Sequence, residues 1–164
     1  MKNQKQYSLT ALQKKVRALQ RQGKKIVLTN GCFDLLHVGH VRYLAAARAL
    51  GDALIVAVNS DASVRQLKGI TRPIVAQKER LEILAALACV DYLILFGGKT
   101  PKKIITSVGP DILVKGADWS LENIVGREEV ERRGGKVVRI KTVAGASTTN
   151  LIERVLRRFR VVTP

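Results

Sequence analysis

The only two histidines of this 164-residue chain, His37 and His40, stand three residues apart with Gly39 between them. At a helix start that spacing turns both imidazoles to one side, beside backbone N–H groups that no helical carbonyl satisfies. Glycine between them leaves room for a phosphate to come close to the main chain. Two imidazole donors at the positive end of a helix suit the charge that develops when an α-phosphate is attacked and pyrophosphate leaves. The pattern points to phosphoryl-type transfer without a covalent enzyme intermediate. Neither GxGxxG nor GxxxxGK[ST] occurs in the chain, so a dinucleotide fingerprint and a P-loop are both excluded as the phosphate device.

Other polar residues extend the candidate set. Asn30, Gly31, Cys32, Phe33 and Asp34 lead into the histidine pair. Lys68, followed by Gly69 and Arg72-Pro73, falls in a loop where a cation would meet a triphosphate, although a lone lysine after a helical turn is usually just solvated. Asp61 would contact substrate or cap the helix that follows it, and Asp118 would bind hydroxyls or hold the Gly116-Ala117 turn. Arg80 lies inside a helical stretch, where structural support competes with substrate contact. Cys32 reads as a small buried residue, since this chemistry needs no thiol. Trp119 is a candidate for stacking on a base.

The elements that must position these residues follow from apolar periodicity. Residues 25–29 read as a strand and 38–50 as a helix with Gly51 as its C′ residue; 53–59 read as a second strand. Strand, helix and strand within about 35 residues make a βαβ unit with a parallel pair and a right-handed crossover. The alternation continues with a helix over 77–87, a strand over 92–96, a short helix opened by Pro101, strands over 112–114 and 136–140, partial helix over 121–133, and a closing helix over 148–158. About five parallel strands in a Rossmann-like, doubly wound α/β fold result, with ligands bound beyond the carboxyl ends of the strands. Leu9, Leu12, Val16 and Leu19 form one helical stripe ending at Gly23, so the basic stretch 1–23 reads as the fold's first helix and not as a transit peptide. The whole of 1–164, with a core over 24–160, is expected to be a single domain.

His37-Val38-Gly39-His40 resembles the HxGH signature of the cytidylyltransferase-like nucleotidyltransferase family, and Ser147-Thr148-Thr149, opening the last helix, resembles its second signature. The resemblance implies that His37, His40 and Lys68 act in catalysis, and that the hydroxyls of Ser147, Thr148 and Thr149 hold the β- and γ-phosphates. Within the family, residues 30–34, Lys68-Gly69, Arg72-Pro73, Arg80 and the run 110–118 are similar to the adenylyltransferase domain of bacterial heptose-phosphate enzymes. That similarity implies nucleotide contacts from Asn30, Gly31, Cys32, Phe33, Gly39, Lys115, Gly116 and Asp118, and substrate contacts from Asp34, Asp61, Arg72 and Arg80. ATP and a phosphorylated sugar, such as D-glycero-β-D-manno-heptose 1-phosphate, are the implied partners. Mg²⁺ is expected to bridge phosphates, with no protein side chain assigned as its ligand, and relatives suggest a homodimer. Glycerol-phosphate cytidylyltransferases also resemble the chain, but they carry an arginine where Thr142 stands and a different loop in place of Lys115-Gly116-Ala117-Asp118.

Composition sets the outer bounds. No apolar run approaches the roughly 18 residues of a membrane span, so no membrane partner is expected. Two cysteines without CxxC spacing argue against zinc, redox or secreted disulfide chemistry, and a reducing cytoplasmic location fits. The net charge of +16, from 29 Lys+Arg against 13 Asp+Glu, favours polyanionic partners. A basic RNA-binding module is the rival reading, but 4% aromatic content and no RRM, KH or zinc-finger pattern leave it little to stack bases on. Nucleotide and sugar phosphate together carry only roughly six negative charges, so part of the surplus is left over.

Overall fold

Five short apolar runs become the strands β1 (Ile26–Gly31), β2 (Ala53–Asn59), β3 (Tyr92–Phe96), β4 (Ile112–Gly116) and β5 (Lys136–Ile140) of a computed structural model that describes residues 4–160. All pair in parallel, in the order β3-β2-β1-β4-β5. From β1 the chain first builds outward through β2 and β3, then returns to lay β4 on the other side of β1. That reversal opens a crevice beyond the carboxyl ends of β1 and β4, the place where open α/β sheets bind ligands.

Alternation along each strand divides the core into two layers. Ala53, Ile55 and Ala57 of β2 share a layer with Leu12 and Val16 of α1 (Leu9–Arg21). Leu54, Val56 and Val58 face the opposite way, onto Leu44 of α2 (Val38–Arg48) and, beyond α3 (Asp61–Lys68), onto Leu81 and Leu84 of α4 (Gln77–Ala86). α5 (Lys102–Val108) and α6 (Arg127–Arg132) cover the α1 side, and α7 (Thr148–Arg160) ends the chain. β2 is buried at every position, as a central strand covered on both faces must be.

Of the basic stretch 1–23, residues 9–21 form the expected helix α1, and residues 1–3 lie outside the described residues. Ser8 caps α1 by accepting from the Ala11 N–H, and Leu12 and Val16 are fully buried. Ahead of it the chain runs along the outer edge of β3, where the Tyr7 N–H donates to the Leu93 carbonyl and the Leu93 N–H to the Lys5 carbonyl. Tyr7 also meets Tyr92 edge to face, 5.3 Å between ring centroids.

Three expectations need correction. β1 runs two residues further than 25–29, so Asn30 and Gly31 are strand residues. α2 ends at Arg48 with Ala49 as its C-cap, so Gly51 is not the C′ residue; a Cβ there would sit 2.7 Å from the Lys25 carbonyl oxygen and 2.8 Å from Val27, so close chain packing excludes larger residues. Ser60, not Asp61, caps α3, by accepting from the Ser63 N–H. Among the described residues no helix is long and apolar enough to cross a membrane.

Candidate active site

A cleft of about 1070 Å³ lies at the switch point, between the carboxyl ends of the central strands and the N-termini of α2 and α7. Residues 30–34, His37, Gly39, His40, Lys68, Arg72, Lys115, Gly116, Asp118 and residues 147–149 all line it. The sequence stretches that bring these groups together are up to 119 positions apart, from Asn30 to Thr149.

His37 is the N-cap of α2. Its Nδ1 accepts from the His40 N–H at 3.3 Å, which leaves the first-turn N–H groups of Val38 and Gly39 without helical acceptors. The two imidazoles stack, 3.8 Å between centroids, and Phe33 meets His40 edge to face. Burial, reinforced by the neighbouring His37, pushes the His40 imidazole down to about 4, so near neutrality it is uncharged. Burial lowers His37 as well. Among the described residues His40 Nδ1 is buried with no hydrogen-bond partner, a state that calls for a specific reason such as a catalytic role. Phe33 reinforces the same conclusion: its φ of 46° is in the left-handed region that non-glycine residues avoid, at a cost of order 1–3 kcal/mol.

Gly39 does more than expose the backbone. A Cβ there would lie 2.9 Å from His37 Nδ1 and 3.1 Å from the Ala146 Cβ, so glycine lets the capping imidazole fold back and lets the loop before α7 close in. Thr148 Oγ1 completes the junction by donating to the Leu35 carbonyl at 3.5 Å. Ser147 caps α7 by accepting from the Asn150 N–H at 3.0 Å. Two helix N-termini therefore converge on one corner of the cleft, each directing its positive end there.

Behind that corner lies a buried polar knot. Asp34, almost wholly buried, accepts from Arg72 Nε and from the Ile74 and Val75 N–H groups. Burial alone would raise its carboxyl, but these donors outweigh it and hold the group below the usual carboxylate range. Arg80, 1% exposed, donates to the carbonyls of Cys32, Asn59 and Val75 and to Asp61 Oδ1. Asp61 and Arg80, expected to touch substrate, do not line the cleft. They pair with each other and tie the loop after β1 to the end of β2. Arg72 and Asp34 line the cleft while bonded to one another.

The opposite wall is built on β4. Lys115 is buried, donates to Asn30 Oδ1, and stands 5.4 Å from the Trp119 ring centre. Burial pushes its ammonium down to about 8, against the raising influence of Asp118. Trp119 is 48% exposed at the rim. Lys68, at the exposed end of α3, faces the same space.

Sequence reasoning did not single out Tyr43, Lys99 or Asn123, which also line the cleft. Tyr43 OH pairs with Thr29 Oγ1 at 2.7 Å, and burial pushes the phenol up to about 12. Its position, one turn after His40 on the same helix face, was a readable signal. Lys99 sits in a loop and Asn123 ends a single 3-10 turn (Leu121–Asn123), and neither carried one.

Residues 28–154 match the family described as cytidylyltransferase-like. The chain belongs to the cytidylyltransferase-like family. Membership makes it a nucleotidyltransferase, and both family signatures lie in the matched region. Among curated proteins it is 59% identical over 138 residues to the bifunctional protein HldE of Citrifermentans bemidjiense, covering 84% of this chain and 28% of that protein. It is 53% identical to HldE of Geobacter sulfurreducens over 88% of this chain and 29% of the relative, and 51% identical to HldE of Cronobacter sakazakii over 90% and 31%. The chain thus spans less than a third of the length of these relatives. A solved structure, the lipopolysaccharide core biosynthesis protein from Thermoplasma volcanium, matches with a TM-score of 0.61 and 31% identity, over 74% of this cytidylyltransferase-like chain and 98% of the other.

Proposed function

We propose that the cleft binds ATP and transfers its AMP unit to a sugar 1-phosphate, D-glycero-β-D-manno-heptose 1-phosphate being the acceptor of choice, with release of pyrophosphate. One observation carries the reading: the stacked His37–His40 pair and two helix N-termini meet at a single corner of a cleft at the sheet's switch point. That corner supplies N–H donors and positive dipole ends where the triphosphate would gain charge as its α–β bridge breaks. An acceptor phosphate oxygen attacks the α-phosphorus in line, and pyrophosphate leaves toward the α7 end, held by Thr148 and Thr149. Lys68 neutralises the leaving phosphates from the far side.

His40 is uncharged in the free protein, so a polyphosphate drawn against it favours uptake of a proton by the ring. Asn30, Lys115, Gly116 and Asp118 form the wall for base and ribose, and Arg72 lies within reach of the acceptor's phosphate side. Mg²⁺, which would screen the phosphates, fits as an ion carried by the triphosphate itself. Asp34 and Asp118 are the carboxylates lining the cleft, and Asp34 is already saturated by Arg72 and two N–H groups. Among the described residues no cluster of three potential ligands is present.

Adenine and heptose are supported by the Lys115-Gly116-Ala117-Asp118 loop, by Thr142 in place of the cytidylyltransferase arginine, and by 51–59% identity to proteins named HldE. The test is to incubate the purified protein with the heptose 1-phosphate and each of the four NTPs in turn, measuring pyrophosphate. ATP alone should give turnover. Turnover confined to CTP with glycerol 3-phosphate would overturn the reading.

A further inference from the structure

The last helix sorts its side chains into two arcs. At about 100° per residue, Leu151, Ile152, Val155, Leu156 and Phe159 occupy one continuous arc of roughly 140°. Glu153, Arg154, Arg157, Arg158 and Arg160 fill the remainder of the sequence wheel. Such a stripe normally faces a core. Here Leu151 and Ile152, next to the cleft, are half-buried, while Val155 and Leu156 are each 51% exposed and Phe159 is 71% exposed. Scattered exposed apolar residues mean little, but three on one helical face form a patch that implies an occupant.

Charge narrows the occupant. The helix carries four arginines against one glutamate, in a chain of net charge +16 that its nucleotide and sugar phosphate do not balance. A second copy packed on this face would bring Arg158, at the edge of the apolar arc, near its counterpart and leave Arg154 and Arg157 pointing away with no anionic partner. An RNA strand would satisfy the arginines but leave the apolar arc in water, with Phe159 the sole ring on the helix for stacking. An anionic bilayer surface satisfies both arcs: aliphatic and aromatic groups enter the headgroup boundary while the flanking guanidinium groups meet lipid phosphates.

We infer that α7 docks the protein on an anionic membrane surface. At 13 residues the helix is about 20 Å long, too short for a hydrocarbon core of roughly 30 Å, so it lies in the interface plane and does not span it. Its N-terminus stays with the cleft, and Phe159 is eleven residues, about 16 Å, further along. Docking thus leaves the triphosphate corner clear of lipid.

The test is sedimentation of the whole protein with vesicles of phosphatidylethanolamine and phosphatidylglycerol, compared with phosphatidylcholine alone, at low and high salt. Binding to the anionic vesicles should exceed binding to the neutral ones at least tenfold and weaken with salt. Phe159→Asp and the Arg157→Glu/Arg158→Glu pair should each lower it about tenfold, with circular dichroism unchanged. Phe159→Trp, which keeps the face apolar, should retain binding and show a blue-shifted emission component that appears only with anionic lipid. The inference is overturned if anionic vesicles fail to bind the protein at low salt, or if Phe159→Asp binds as well as the parent. It is equally overturned if light scattering shows a dimer that Phe159→Asp dissociates, or if an RNA oligonucleotide binds more tightly than the vesicles.

Discussion

The two walls of the cleft are built differently. The wall at β1 and α2 is held from behind by buried polar bonds: Arg80 gathers three carbonyls and Asp61, Asp34 gathers Arg72 and two N–H groups, and His37 caps its own helix. The wall at β4 and the loops after it presents Asp118 and Trp119 at the exposed rim, with only Lys115 buried beneath them. Fixed donors aimed at a developing charge act without reorganisation, which is what phosphate chemistry needs. Recognition of a base or sugar tolerates side chains that settle on arrival.

Removing the knot should have the largest effect. Arg80→Met removes the donor to the buried Asn59 carbonyl, to the part-buried carbonyls of Cys32 and Val75 and to Asp61, so stability should fall by about 3 kcal/mol, lowering the melting midpoint by roughly 10 °C. A thermal scan that moved by less than about 2 °C would show the first wall to be no more fixed than the second. His40→Ala should keep the fold yet reduce kcat about a hundredfold, near 3 kcal/mol of transition-state stabilisation, measured as pyrophosphate release.

Acid should separate the walls in another way. With the His40 imidazole depressed from 6.5 to about 4, the unfolded chain binds a proton in that interval that the folded chain refuses. Stability therefore declines as pH falls from about 6.5 to about 4, by up to roughly 3 kcal/mol from this residue. Denaturant melts of wild type and His40→Gln across that range should differ in slope, the variant being flatter. The smallest effect belongs to the rim: Trp119→Ala should raise KM for the nucleotide a few-fold and change stability by under about 0.5 kcal/mol. A large loss of stability from that change would erase the contrast between the walls.

Much of this was readable from residue types. Strand 53–59 was legible because it is apolar from Ala53 to Val58 and ends at Asn59, and the histidine pair was legible because its spacing matches a helix turn. The end of β1 was missed because Asn30 and Gly31 are poor strand formers that tertiary pairing with β2 overrides. For Asp61 and Arg80 the family resemblance implied substrate contact beside a capping and a support alternative, and nothing in one dimension announces that the two pair with each other. Lys99 reaches the cleft from a loop and Asn123 from a three-residue 3-10 turn, both too short for periodicity to announce direction.

The short stretch ahead of α1 has a practical consequence. By hydrogen bonding along β3 through Lys5 and Tyr7, it shields the sheet's outermost rung on that side from other chains. Trimming the protein back to Leu9 would uncover the N–H and carbonyl of Leu93, and the shortened protein should precipitate in proportion to its concentration while the His37–His40 corner remained intact.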